Sequence, residues 1–162
     1  MKELFNYLSV FLISMVPVVE LRGAIPWGYG LGIDNIWVLT VLAVLGNLVP
    51  VPFIILFIKR IFAWIRKHLP KLDGLVTRLE NRAHSKSEKV QKSVFWGLFI
   101  FVAIPLPGTG AWTGALIAAM LDMRLKRAFP AIAAGVVTAG VIIATLVSIF
   151  GPPVLELFGM AA

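Results

Sequence analysis

Two ionisable residues stand where an otherwise apolar stretch tolerates them least: Glu20 and Arg22, inside Val-Pro-Val-Val-Glu-Leu-Arg-Gly-Ala-Ile-Pro, residues 16–26. If this stretch lies at membrane depth, both are costly, and such residues mark substrate or proton pathways by default. Arg22 can grip a phosphate or carboxylate with a two-pronged contact. Glu20 can hold a cation or a proton, because burial penalises its charged form. The competing reading is that the two neutralise each other. Residues two apart point in different directions on a regular helix, so pairing requires irregular backbone. Gly23 and Pro26 beside them are expected to supply it.

A second segment, Ile-Pro-Leu-Pro-Gly-Thr-Gly-Ala-Trp-Thr-Gly at 104–114, has no charge. It offers consecutive backbone N–H groups instead. Pro105, Pro107, Gly108 and Gly110, followed by the start of a half-helix, make an anion-receptive concavity. Thr109 and Thr113 add hydroxyls, and Trp112 adds an amphipathic ring. The plainer alternative is a helix-breaking turn packed against the first segment. Asn47 is a further candidate, followed closely by Pro50 and Pro52. Its expected role is an interhelical hydrogen bond that relieves backbone freed by proline.

These groups need a scaffold, and composition identifies its solvent. The chain has 162 residues, 59% hydrophobic, with mean hydropathy +0.92; soluble domains are about 45–50% apolar. One membrane domain is expected. Without cysteine there is no disulfide framework, no thiolate nucleophile and no cysteine metal site. No cofactor is expected. His68 and His84 lack metal-spaced partners, and no nucleophile–base pair lies in the apolar segments, so an enzyme is not expected. The run after Lys2 continues into Glu20 and Arg22 without a small-residue cleavage site, and reads as retained.

Four apolar regions stand out, at about 4–33, 35–58, 94–121 and 128–150. The second and fourth suit one helical crossing of a ~30 Å core, which takes ~20 residues. The first and third are too long for one crossing and too short for two. Both are also broken by Pro and Gly. A hairpin that dips in, turns and leaves on the same side explains both features, provided protein or water covers the turn.

Charge supports this. Ten of the 15 Lys and Arg residues fall between Lys59 and Lys92, and Arg124, Lys126 and Arg127 form a second basic loop. With both long regions re-entrant, loops 59–93 and 122–127 share the cytoplasmic side and both termini lie outside. The expected fold is therefore all-α integral membrane: an inverted repeat of re-entrant helical hairpin plus transmembrane helix. Repeat one covers 1–58, a basic amphipathic linker 59–93, repeat two 94–150 and a tail 151–162. A shift of 88 residues superposes Pro17 on Pro105, Asp34 on Asp122 and Phe11 on Phe99. In the linker, Ile61, Ile65, Leu69, Leu72, Val76 and Leu79 recur at helical spacing, with Pro70 opening a second helix. This predicts an interfacial segment that meets anionic lipid headgroups rather than nucleic acid. Ala131, Gly135 and Ala139 form a small-residue stripe for helix packing. So little protein around broken backbone predicts a homo-oligomer, most simply a dimer.

With Glu20-Leu-Arg22-Gly23-Ala-Ile-Pro26 and the Pro105–Gly114 segment, the chain resembles the small multi-drug export protein family over nearly its whole length. That family looks distantly similar to the DedA (VTT-domain) membrane proteins. The resemblance implies two hairpins meeting at the midplane and proton-linked translocation of polyprenyl-phosphate or other phospholipids. It assigns Glu20 and Arg22 to the first hairpin's acidic and basic positions, and Pro105, Pro107 and Gly108 to the second hairpin's turn. The second hairpin has no arginine, so the resemblance does not extend to a two-arginine phosphate clamp. The expected function is a transporter of an amphiphilic anion such as a lipid phosphate, in the plasma membrane. The alternatives are proton-coupled export of lipophilic cations, which needs Glu20 but not Arg22, and a non-transporting assembly factor.

Overall fold

The computed structural model describes residues 2–68, 88–106, 108–121 and 123–151. All regular structure among them is helical: α1 Lys2–Ser14, α2 Glu20–Gly30, α3 Ile36–Leu48, α4 Pro50–His68, α5 Glu88–Ala103, α6 Ala111–Met120 and α7 Leu125–Phe150. Pro107, Pro70, Asp122 and most of the basic linker lie outside the described residues.

Local chemistry accounts for most boundaries. Gly32, with φ +80°, closes the turn after α2. The Asn35 side-chain oxygen then caps α3, accepting from the Trp37 and Val38 amides at 3.2 and 3.1 Å. Pro50 and Pro52 carry no amide hydrogen, so the ladder breaks at Val49. The break leaves the axis serviceable as one apolar span, Ile36–Ile58. α4 continues through the first turns of the segment expected to form an interfacial helix and ends at His68.

Helix length separates two classes of element. At 1.5 Å per residue, α1, α2 and α6 are about 15–20 Å long, too short to cross a ~30 Å core. Ile36–Ile58 and Leu125–Phe150 are long enough, with mean hydropathies of 2.5 and 2.4. Only 33% and 44% of their apolar windows are buried, whereas a soluble core helix this apolar would be mostly enclosed. Trp37, Val41, Leu45, Val49, Phe53 and Phe57 form an unbroken exposed stripe at every fourth residue. In water that face would drive aggregation; against lipid chains it costs nothing.

The two halves pack alike. α1 lies on α2 and α3, and α5 lies on α6 and α7; α2 also reaches α7, and α6 reaches α4. One close joint in each half is similar. A Cβ at Gly46 would collide with Phe11 O and Ser14 Oγ, and one at Gly135 would stand 2.9 Å from Phe99 O. In each half, a glycine on the long helix lets a phenylalanine carbonyl on the short helix approach closely. Ala131, Gly135 and Ala139 are all buried along α7, as their spacing predicts.

One expectation about the first hairpin is corrected. Gly23 and Pro26 do not break the backbone; both are buried inside α2. The reversal occurs earlier, at Met15–Val19, where Pro17 ends α1 and Val18 takes φ +78°. Pro26 lies in the middle of α2 and removes the ladder bond to Arg22 O, and the turns on either side of it hold the helix together.

Candidate functional site

The short helices bring the two broken segments together. Glu20 opens α2 with φ +51°, a left-handed conformation rare for a non-glycine residue. That twist turns its carboxylate back toward Arg22, so the residues pair despite their spacing: Arg22 Nη1 donates to Glu20 Oε2 at 3.2 Å. The irregular backbone that pairing requires is therefore supplied by Glu20 itself, not by Gly23. Both residues are buried, at 4% and 6% exposure.

Each charge then serves the second hairpin. α6 starts after Gly110 without a side-chain cap of its own. Its cap comes from 92 residues away: the Trp112 amide donates to Glu20 Oε1 at 3.0 Å. An anion belongs at this end, where unpaired N–H groups and the helix dipole both favour it. Arg22 Nη2 lies at the opposite kind of terminus. It reaches Val102 O at 3.4 Å and Ile104 O at 3.1 Å, just where α5 ends, and a cation suits those unpaired carbonyls. It also lies 3.0 Å from Thr109 Oγ1. That hydroxyl is 2.8 Å from both Leu106 O and Ile104 O. Donating to Leu106 O leaves its lone pairs free to accept from Arg22.

A third bond ties the tips. The Trp112 indole N–H donates to Met15 O at 3.0 Å, in the turn of the first hairpin. Gly110 makes the approach possible, because a Cβ there would fall on the Glu20 carboxylate. Gly108, with φ +81°, supplies the left-handed turn residue of the loop. Pro105 is half-buried in that loop, and Thr113 lies in the first turn of α6.

Of the sequence candidates, Glu20, Arg22, Thr109, Gly110 and Trp112 thus converge. Gly23 and Pro26 contribute only as parts of α2. Asn47 differs from its expected role: it is fully buried, yet neither Nδ2 nor Oδ1 has a hydrogen-bond partner. The interhelical bond expected of it is not made. Three acceptors escaped sequence reasoning, the carbonyls of Val102, Ile104 and Met15. Backbone acceptors carry no residue signature, so only the contact identifies them.

Chemically, the arrangement is a carboxylate held between a guanidinium and a helix N-terminus. That is an anion site, and its anion is the protein's own.

The family model described as "Putative small multi-drug export protein" matches residues 20–142. No curated protein and no solved structure matches the chain.

Proposed function

Since the chain belongs to the small multi-drug export protein family, we propose that it is a transporter whose substrate is an amphiphilic anion, such as a lipid phosphate. Family membership and the two long apolar helices already make it a membrane protein of a family named for export. The substrate class rests on one observation: the α6 N-terminus and Arg22 jointly hold a carboxylate, that of Glu20. In the proposed cycle the substrate's anionic group takes over these donors when Glu20 withdraws. A proton taken up by Glu20 would favour withdrawal, because the neutral acid forfeits its attraction to Arg22 and to the helix end.

The membrane arrangement belongs to the same proposal. α1–α2 and α5–α6 are re-entrant hairpins from opposite faces, and the two halves form an inverted repeat. Their lengths and the paired Phe11–Gly46 and Phe99–Gly135 joints favour this. Loops 59–93 and 122–127 lie in the cytoplasm of a plasma-membrane protein with both termini outside, and a second copy covers the exposed turn at Pro17 and Val18.

The test is flux of a fluorescent polyprenyl-phosphate and of a lipophilic cation in proteoliposomes, for the unaltered chain, Glu20→Gln and Arg22→Ala. Arg22→Ala is expected to abolish anion flux. Cation flux that needs Glu20 but survives Arg22→Ala would replace the anion reading with cation export. Unchanged flux of both in both variants would remove the site altogether. Labelling cysteines engineered near residues 2 and 160 tests the topology; a cytoplasmic N-terminus overturns the inverted arrangement.

A further inference from the structure

Asn47 is a buried polar residue whose side chain makes no hydrogen bond. Its exposure is zero, and neither amide atom finds a partner among the described residues. Natural proteins rarely leave a buried carboxamide wholly unpaired, since it gave up water and gained nothing. In a chain surrounded by lipid, no bulk solvent is near to relieve it.

Its depth can be worked out from the packing. α2 and α3 are joined by the short turn at 31–35 and run antiparallel, and Gly28 meets Leu39: a Cβ there would stand 2.6 Å from Leu39 Cδ1. Counting eight residues back along α2 from Gly28 reaches Glu20, and eight forward along α3 from Leu39 reaches Asn47. At 1.5 Å per residue, each lies about 12 Å along its own helix from that contact, toward the end where the first hairpin turns. A direct contact places this part of α3 beside the first hairpin's turn. The adjacent Gly46 is pressed against Ser14, one residue from the turn whose Met15 O receives the Trp112 indole. A second unpaired donor, Arg22 Nε, is buried in the first hairpin.

Directly beyond Asn47 the helix ladder is broken at Val49–Pro50. Such breaks are where helix segments change angle. Asn47 therefore stands next to a built-in bending point, sealed in the arrangement seen here.

We propose that Asn47 is a substrate-contacting residue, whose carboxamide engages the protonated phosphate monoester head of the amphiphile when the first hairpin shifts from α3. This rests on the anion reading above. The chemistry is complementary: a monoprotonated phosphate offers an acceptor P=O and a donor P–OH, and the carboxamide offers N–H donors and an acceptor oxygen. Arg22 Nε–H supplies a further donor. Leaving the amide unpaired in the sealed arrangement biases the protein toward the arrangement in which a ligand pairs it.

The experiment uses the full chain in detergent and in proteoliposomes, with farnesyl phosphate as probe and farnesol as neutral control. Thermal unfolding with increasing probe is compared for the unaltered protein, Asn47→Leu and Asn47→Ala, beside flux of a fluorescent polyprenyl-phosphate. Asn47→Leu is expected to unfold several degrees higher without ligand, because an orphaned polar group has been replaced by an apolar one. The same variant is expected to bind farnesyl phosphate at least tenfold more weakly and to lose flux in proportion. Equal probe affinity and flux in all three proteins overturns the role of Asn47 and leaves the anion reading standing. A lowered unfolding temperature in both variants, with probe affinity intact, makes Asn47 a packing residue and also overturns it. No response of the unaltered protein to farnesyl phosphate, with no flux, overturns the anion reading and this inference together.

Discussion

The two hairpins are built alike and equipped differently. The first carries Glu20 and Arg22, strained at its turn by positive φ at Val18 and Glu20. Such non-glycine conformations cost about 1–3 kcal/mol each. The second carries no charge at its tip, residues 104–114, and presents two helix ends there, the carbonyls closing α5 and the amides opening α6. Neither is well satisfied alone once it is shielded from water. A buried ion pair is costly unless further hydrogen bonds satisfy it, and open helix ends are costly in the absence of water. Each hairpin is the other's missing solvent.

That division makes specific variants informative. The largest effect is expected from Gly110→Val, which thrusts a branched side chain into the Glu20 carboxylate. It should separate the hairpins and prevent recovery of folded protein from mild detergent. Normal recovery and unfolding temperature would mean that the tips are not in contact.

Next come the charges, which the comparison ranks. Arg22→Ala strands the Glu20 carboxylate and uncaps α5, and a broken buried pair typically costs about 3–5 kcal/mol. Glu20→Gln keeps an acceptor for the Trp112 amide and should cost less. The double variant Glu20→Gln/Arg22→Met should recover part of the Arg22→Ala loss. Additive losses in thermal unfolding would show that the two residues act separately.

A symmetric pair of variants tests likeness rather than difference. Gly46→Ala and Gly135→Ala each press a methyl group onto a phenylalanine carbonyl. Each should cost about 1–3 kcal/mol, the range for overpacking a tight joint. Gly46→Ala should cost the more of the two, because its methyl would overlap Phe11 O whereas that of Gly135→Ala would stand 2.9 Å from Phe99 O; unchanged thermal unfolding in both would mean that neither joint is tight. The smallest effect is expected from Trp112→Phe. It keeps the ring and removes the indole donor to Met15 O, worth about 1 kcal/mol, and should be detectable as a shift of a few degrees.

Much of this was legible in the chain. Segment lengths and hydropathy distinguish the long spans from the broken segments, because a bilayer of given thickness imposes a length on anything that crosses it. Glu20 and Arg22 are conspicuous, since charge in an apolar run has few innocent explanations. The α6 start after Gly110 follows from glycine and proline chemistry. The first break is legible only in part: Pro17 marks it, but Gly23 and Pro26 point further along the chain. Gly23 and Pro26 signal disruption, but a helix tolerates both when its neighbours are intact, whereas the left-handed turn at Val18–Glu20 has no glycine to announce it.

Composition and pattern alone thus determine the solvent, the lengths of the helices and the identity of the charged pair. Tertiary structure alone decides what the pair is for. The anion-receptive end of the second hairpin and the anion that fills it lie 92 residues apart, and local pattern cannot encode a partner at that distance. The same holds for Asn47: its neighbours in the chain suggest a helix-packing amide, and only the packed fold shows that nothing pairs with it.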